Sequence, residues 1–307
     1  MKNTKTQKIV PGLWFDNEAE DAAAFYISIF KNSGTGRTTR YGKEGFEFHG
    51  KPAGSVMTVE FEIEHYKFVA INGGPQFKPN PSVSFFVTCE TETEVDELWQ
   101  KLSENGNILM PLNTYPWSKR YGFIQDRYSL TWQISLGNIA DVGQKIAPCL
   151  LFVNKNMGLA ETAIYHYTGI FTPSEIDGIL KYEAGEEAPE GAVKHAQFHL
   201  LGEKFMIMDG PGQHDFSFNE AVSFIVNCKD QEETDYYWGC LTEGGDEKAQ
   251  ACGWLKDKFG LSWQIVPEAV SEMLQNADEK QSDRLMQALL QMKKIDLQKL
   301  EDAYKPV

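Results

Sequence analysis

His195, Gln197 and His199 alternate along Val193–Leu200, so an extended strand puts all three on one face and Ala196, Phe198 and Leu200 on the other. Two imidazoles and an amide in a row can line a hydrogen-bonding pocket or ligate a metal. Four residues of strand rise hold the two histidines about 13 Å apart, too far to share one ion. Solvated strand surface or an inter-domain contact is the plainer reading. Thr58, Glu60 and Glu62 occupy the matching places in the N-terminal half. A carboxylate in a partly apolar pocket has a raised pKa and can act as a base, which makes Glu60 and Glu62 the candidates for catalysis. The sequence shows no paired acid beside them. Gln133 and Gln264 each follow a tryptophan and precede an isoleucine, so each amide points away from those apolar side chains, toward a ligand or toward backbone that satisfies it. Arg120, with Trp117, Tyr121 and Tyr115 close by, is suited to clamp an anionic or planar ligand; a stacked arginine on a surface loop is the alternative. No Ser–His–Asp or Cys–His arrangement is legible.

The elements that must position these residues come twice. Lys8-Ile9-Val10-Pro11 returns as Lys145-Ile146-Ala147-Pro148, Val83–Cys89 as Val222–Cys228, and Asp126–Ile134 as Asp257–Ile265. The offsets, 145 − 8 = 137, 222 − 83 = 139 and 257 − 126 = 131, differ only by small insertions, so a whole domain is duplicated. Within each half the pattern strand–helix–strand–strand–strand runs twice, giving about four modules. Val59, Phe61 and Ile63 alternate with Glu60 and Glu62, and Glu92–Glu104 carries Val95, Leu98, Trp99 and Leu102 at helical spacing behind an acidic first turn. A single module cannot bury its sheet, so modules must pair, helices covering one face and the other enclosing a cavity, one per half. The first helix region of the second half, 156–171, reads as four residues longer than its counterpart. The C-terminal residues 267–304 have no counterpart, and Ser282-Asp283 reads as the cap of a helix carrying Leu285, Met286, Leu289 and Leu290.

A chain of 307 residues with 42% hydrophobic content can bury two ordinary cores. Its net charge of −15 argues against nucleic acid or an anionic membrane as partner. No basic, apolar leader and no apolar run near the roughly 20 residues of a membrane span is seen. The five cysteines are odd in number and form no C-x-x-C pair. A reducing cytoplasm is the expected setting.

Pro11-x-Leu13-x-Phe15, the acidic alanine-rich helix ending Phe25-Tyr26, the Phe85-Phe86-Val87 strand, the segments from Asp126 to Trp132 and from Asp257 to Trp263, and the tail from Met286 to Leu297 together resemble one family. It is the PhnB-like branch of the vicinal oxygen chelate superfamily (glyoxalase/bleomycin resistance/dioxygenase), a branch that carries the description 3-demethylubiquinone-9 3-methyltransferase. The resemblance covers almost the whole chain in two copies. It implies an α+β fold of paired βαβββ modules in two tandem domains, 1–140 and 145–268, with a helical extension, 269–307. It also implies a divalent metal held by His or Glu at three strand positions per site. Here the first strands offer Leu13 or Leu150 and their neighbours, the fifth strands Val83 or Ser84 and Val222 or Ser223, and the last strands Gln133 and Gln264. One neutral amide without an imidazole is a poor set for zinc or iron, so no cofactor is expected and a divalent metal is disfavoured. No methyl-donor motif is seen, since Gly34-Thr35-Gly36 precedes a strand rather than a helix. The expected function is binding of a small apolar or aromatic molecule by Gln133, Gln264, His195, Gln197, His199, Arg120, Tyr115 and Trp117. The alternative is an enzyme of the same superfamily: a lyase, dioxygenase or group-transfer catalyst. The tail is expected to clasp the second domain, with a homodimer contact as the alternative.

Overall fold

The computed structural model describes residues 7–305, so the outermost residues of the expected first domain and of the extension, 1–6 and 306–307, lie outside it. Four modules follow in chain order. The first has β1 (Ile9–Phe15), α1 (Ala19–Ile29), β2 (Gly34–Arg40), a short α2 (Phe46–His49), β3 (Val56–Ile63) and β4 (Tyr66–Asn72). The second has β5 (Val83–Cys89), α3 (Glu92–Ser103), β6 (Asn107–Tyr115), β7 (Ser118–Gln125) and β8 (Thr131–Leu136). A four-residue helix, α4 (Ile139–Val142), leads to the third: β9 (Ile146–Phe152), α5 (Ala160–Ile170), β10 (Ser174–Lys181), β11 (Val193–Leu200) and β12 (Glu203–Asp209). The fourth has β13 (Val222–Cys228), α6 (Gln231–Thr242), β14 (Trp254–Lys256) and β15 (Ser262–Pro267). The extension forms α7 (Glu268–Asn276), α8 (Glu279–Leu290) and α9 (Leu297–Tyr304).

Three local readings are corrected. α5 is no longer than α1, both having 11 residues; the surplus forms a 3-10 turn at Asn154–Asn156. The tail helix starts four residues before Ser282-Asp283, at Asp278, whose carboxylate and Gln281 form a reciprocal capping box. The helix α7 between β15 and that cap was not expected. The caps of α1 and α5 come instead from distant strand ends: Asn72 Oδ1 accepts from Ala19 N, and Asp209 Oδ1 from Gly158 N and Ala160 N.

The modules pair in two ways. Inside each half, helices and aromatic rings fill the space between two modules. Tyr26 of α1 meets Trp132 of β8 at 5.3 Å and Phe68 meets Phe85 at 5.1 Å; Tyr167 meets Trp263 at 5.5 Å and Phe205 meets Phe224 at 5.2 Å. A buried carboxylate locks each set. Asp126 Oδ2 accepts from Tyr26 Oη and Trp132 Nε1, and its Oδ1 from the backbone of Tyr128 and Leu130. Asp257 repeats all four bonds with Tyr167, Trp263, Phe259 and Leu261. Between halves the joining is by strands: β1 runs antiparallel to β13, and β5 to β9. Sheet A is therefore seven-stranded in the order β14-β15-β13-β1-β4-β3-β2, and sheet B eight-stranded in the order β10-β11-β12-β9-β5-β8-β7-β6. The aromatic nodes lie within each half, the main core runs continuously through both, and each sheet face away from the main helices is built by both halves, so the expected one cavity per half is corrected to one face per pair of modules drawn from opposite halves.

Removing either aspartate carboxylate strands four donors in the core. Asp257→Ala is expected to lower stability by about 4 kcal/mol, read by urea unfolding; a loss under 1 kcal/mol would show that the four bonds are dispensable. Burial lifts the Asp126 carboxyl to about 6, against the pull of its four donors. The unfolded chain releases that proton near pH 4 and the folded one near 6, so across this window the folded state holds the extra proton and stability falls as pH rises. Asp126→Asn is expected to flatten that part of the pH–stability curve; an unchanged slope would contradict it.

Candidate ligand-binding site

On the helix-free face of sheet A, strand registers set Val69, Gly12 and Ser223 side by side, with Gln264 one step along. On sheet B the same level holds Met206, Cys149 and Ser84, with Gln133 one step along. Gln264 Nε2 donates to Ser223 Oγ at 2.9 Å, and Gln133 Nε2 donates to Ser84 Oγ at 2.9 Å. These glutamines do face away from Trp132 and Trp263, which are fully buried core anchors. Each amide is met by a serine hydroxyl rather than by backbone.

The faces differ at the residue beside the serine. A Cβ added to Gly12 would stand 2.7 Å from Ser223 Oγ and 2.9 Å from Gln264 Nε2, so only glycine lets the amide fold onto the floor of sheet A. Sheet B has Cys149 there, its thiol pushed up to about 12 by burial and hence inert as a nucleophile. In sheet B, Tyr121 Oη donates to Gln133 Oε1 at 2.7 Å. Sequence reasoning passed over Gly12, Cys149 and Tyr121 as partners of the glutamines; the offset between Val83–Cys89 and Ile146–Phe152 carries no sign that these strands pair.

The other expected residues divide between the faces. Tyr115 stacks on Trp117 at 5.0 Å, both rings edge-on to Tyr121 at 5.6 Å, forming an aromatic rim of face B; Tyr115 Oη also donates to Pro111 O. His195, Gln197 and His199 stand on β11 of the same sheet, so they share a face with Gln133 rather than Gln264. His195 Nε2 lies 3.2 Å from Gln197 Nε2, and burial lowers the imidazole's pKa. Arg120 does not join them: it lies on the helix-covered side, where Nε donates to Asp96 of α3 at 2.5 Å. Its neighbour Tyr121 takes the helix-free side, as alternation requires. Glu60 and Glu62 belong to β3 of sheet A, with Gln264. Arg37 Nη2 binds Glu60 Oε1 at 2.8 Å, so that carboxylate is engaged in an ion pair rather than free on the face.

The extension touches both rims of face A. Arg37 Nη1 donates to Ser271 O of α7, while Cys252 N and Gly253 N beside β14 donate to Met292 O and Lys293 O. On face B, Val142 of the four-residue α4 packs on Ala147, Cys149 and Met206, so among the described residues that face is helix-free apart from this short helix.

At the levels described, both faces present neutral donors: a glycine, serine and glutamine, or a cysteine, serine and glutamine. Such a set does not fit zinc or iron. Among the described residues, Glu175, Asp177 and His199 bring ligand atoms within 4.8 Å of one another, but Lys204 Nζ already lies 3.0 Å from Asp177 Oδ2. The strand-to-helix turns after β1, β5 and β13 contain no glycine, the one after β9 has Gly158, whose N–H is taken by Asp209, and Gly42, Gly45 and Gly137 lead only into four-residue helices, too short to hold a nucleotide-like methyl donor at their N-termini. Two clefts lie elsewhere, about 610 Å³ between the linkers at Asn80 and Asn219 and about 360 Å³ beside Lys155 and Lys258.

Paired modules, three of them βαβββ and the fourth βαββ, one strand short of the expected pattern, fused by their sheets across a duplication, have the vicinal oxygen chelate fold. The chain belongs to the family described as 3-demethylubiquinone-9 3-methyltransferase, which matches residues 7–135 and 144–266. Glyoxalase I from Zea mays is similar in fold, with TM-score 0.54 and 10% identity over 86% of this chain and 94% of that one. A Bacillus cereus PhnB protein is 38% identical over 43% of this chain and 100% of its own, with TM-score 0.39. No curated protein matches.

Arg120→Met is expected to leave affinity for any face-bound ligand within twofold and to cost less than about 1 kcal/mol, because the Asp96 pair is largely solvated. A tenfold loss of affinity in a titration would return Arg120 to the site.

Proposed function

We propose that this protein binds a small apolar or aromatic molecule on a helix-free sheet face, without a metal triad. One observation carries the reading: the positions where the resemblance places metal ligands hold a glutamine tied to a serine hydroxyl among apolar side chains. An amide anchored by its nitrogen orients a ligand's polar group; the flanking Trp14, Ile225 and Trp254 on one face, and Phe86, Met206 and Met208 on the other, supply apolar contact. Neutral donors favour recognition over Lewis-acid chemistry. The description of the family names a methyl transfer, for which the turns supply no donor cradle. A reducing, cytoplasmic setting belongs to the same reading and agrees with five unpaired thiols. No helix among the described residues is long and apolar enough to cross a membrane.

A thermal-shift screen of small aromatic compounds, with and without chelator, tests this. Stabilisation by apolar compounds that ignores chelator is expected, and purified protein should carry no stoichiometric transition metal by elemental analysis. A tightly held metal whose removal lowers Tm by several degrees would overturn the reading in favour of an enzyme.

A further inference from the structure

The two glutamines are not equally satisfied. Gln133 spends its nitrogen on Ser84 and its oxygen on the Tyr121 hydroxyl. Gln264 spends its nitrogen on Ser223, while its Oε1 has no donor among the described residues. In this arrangement the Ser223 hydroxyl accepts from the amide nitrogen and lies 3.4 Å from Gly12 O, the carbonyl to which it donates. Gln264 is only 8% exposed, yet its Oε1 is not one of the sealed side-chain atoms that lack a partner, so this acceptor opens on the sheet face, where a ligand's donor reaches it.

What is missing can be read from the duplicate. Phe123 pairs with Gln133, and Trp254 pairs with Gln264. Tyr121 stands two residues before Phe123; two residues before Trp254 stands Cys252, in a left-handed bend with its N–H held by Met292 O. Among the described residues, no tyrosine hydroxyl bonds Gln264. The surrounding side chains are flat and apolar: Trp14 lies edge-on to Trp254 at 6.0 Å, and Val69 and Ile71 stay half-buried on the same face.

From this unmatched acceptor we infer that face A is the ligand-binding face and selects a phenol-like molecule, a flat apolar ring bearing one O–H donor, which occupies the place that Tyr121 fills on face B. Face B closes on its own tyrosine. The inference rests on the binding reading above and adds to it the face and the ligand class.

The probes are p-cresol and its methyl ether, 4-methylanisole, which differ by the donor alone, titrated into the full chain by calorimetry. The expected result is p-cresol binding about tenfold tighter than the ether, the worth of one hydrogen bond. Gln264→Leu should abolish that preference, and Gln133→Leu should preserve it. The comparison of probes on the unaltered protein needs no variant to fold. Equal binding of both probes, or loss of the preference in Gln133→Leu alone, overturns the inference and leaves the binding reading standing. So does failure of both probes while other aromatics stabilise the protein. If no aromatic compound in the screen binds, the binding reading fails and this inference with it.

Discussion

Backbone pairing between the first strands of the modules is the constraint on which the rest depends. β1 has β4 parallel on one edge; its other edge would leave a row of N–H and C=O groups unpaired at the centre of the molecule. β13 satisfies that edge, and β9 does the same for β5. Because the partner comes from the other half in both cases, the two sheets are fused across the duplication. The glutamine on β15 thus meets Gly12 of β1, and the glutamine on β8 meets the level of Cys149 of β9. Neither half alone has a complete helix-free face.

The buried aspartates work at right angles to that joint. Each ties a helix of one module to a tryptophan strand of the next, inside one half. The Tyr–Asp–Trp nodes thus lie within the halves, while the opposite sheet faces are shared between them. Substitutions on a face have room to vary without disturbing the Tyr–Asp–Trp nodes, and the faces have in fact diverged, to Gly12 in one and to Cys149 with Tyr121 in the other.

The extension adds a further asymmetry. It spans from Arg37 to the backbone of Cys252 and Gly253, so it fixes the distance between the rims of face A. The hold on Cys252 also places a bend where face B has Tyr121. Among the described residues, face B is met by the four-residue α4. A duplicated fold with one face strapped and one face closed on its own tyrosine is not a pair of equal sites.

Much of this was legible in the sequence, for local reasons. Alternation and repeat spacing fix which side chains share a strand face, so the outward glutamines, the inward tryptophans and the His195–Gln197–His199 row follow from order along the chain. The repeat fixes four modules. Arg120 was misplaced because a ring-flanked arginine looks the same whether it meets a ligand or Asp96 of α3, and that partner is set by packing. Which modules share a sheet is not written in any local pattern: the β1–β13 and β5–β9 pairings join strands more than sixty residues apart through backbone groups that every sequence carries. The sequence therefore determined the modules and the facing of each side chain. Only the tertiary structure decided that Gln264 lies over Gly12 and Gln133 under Tyr121, since those contacts exist only once distant strand edges have found each other.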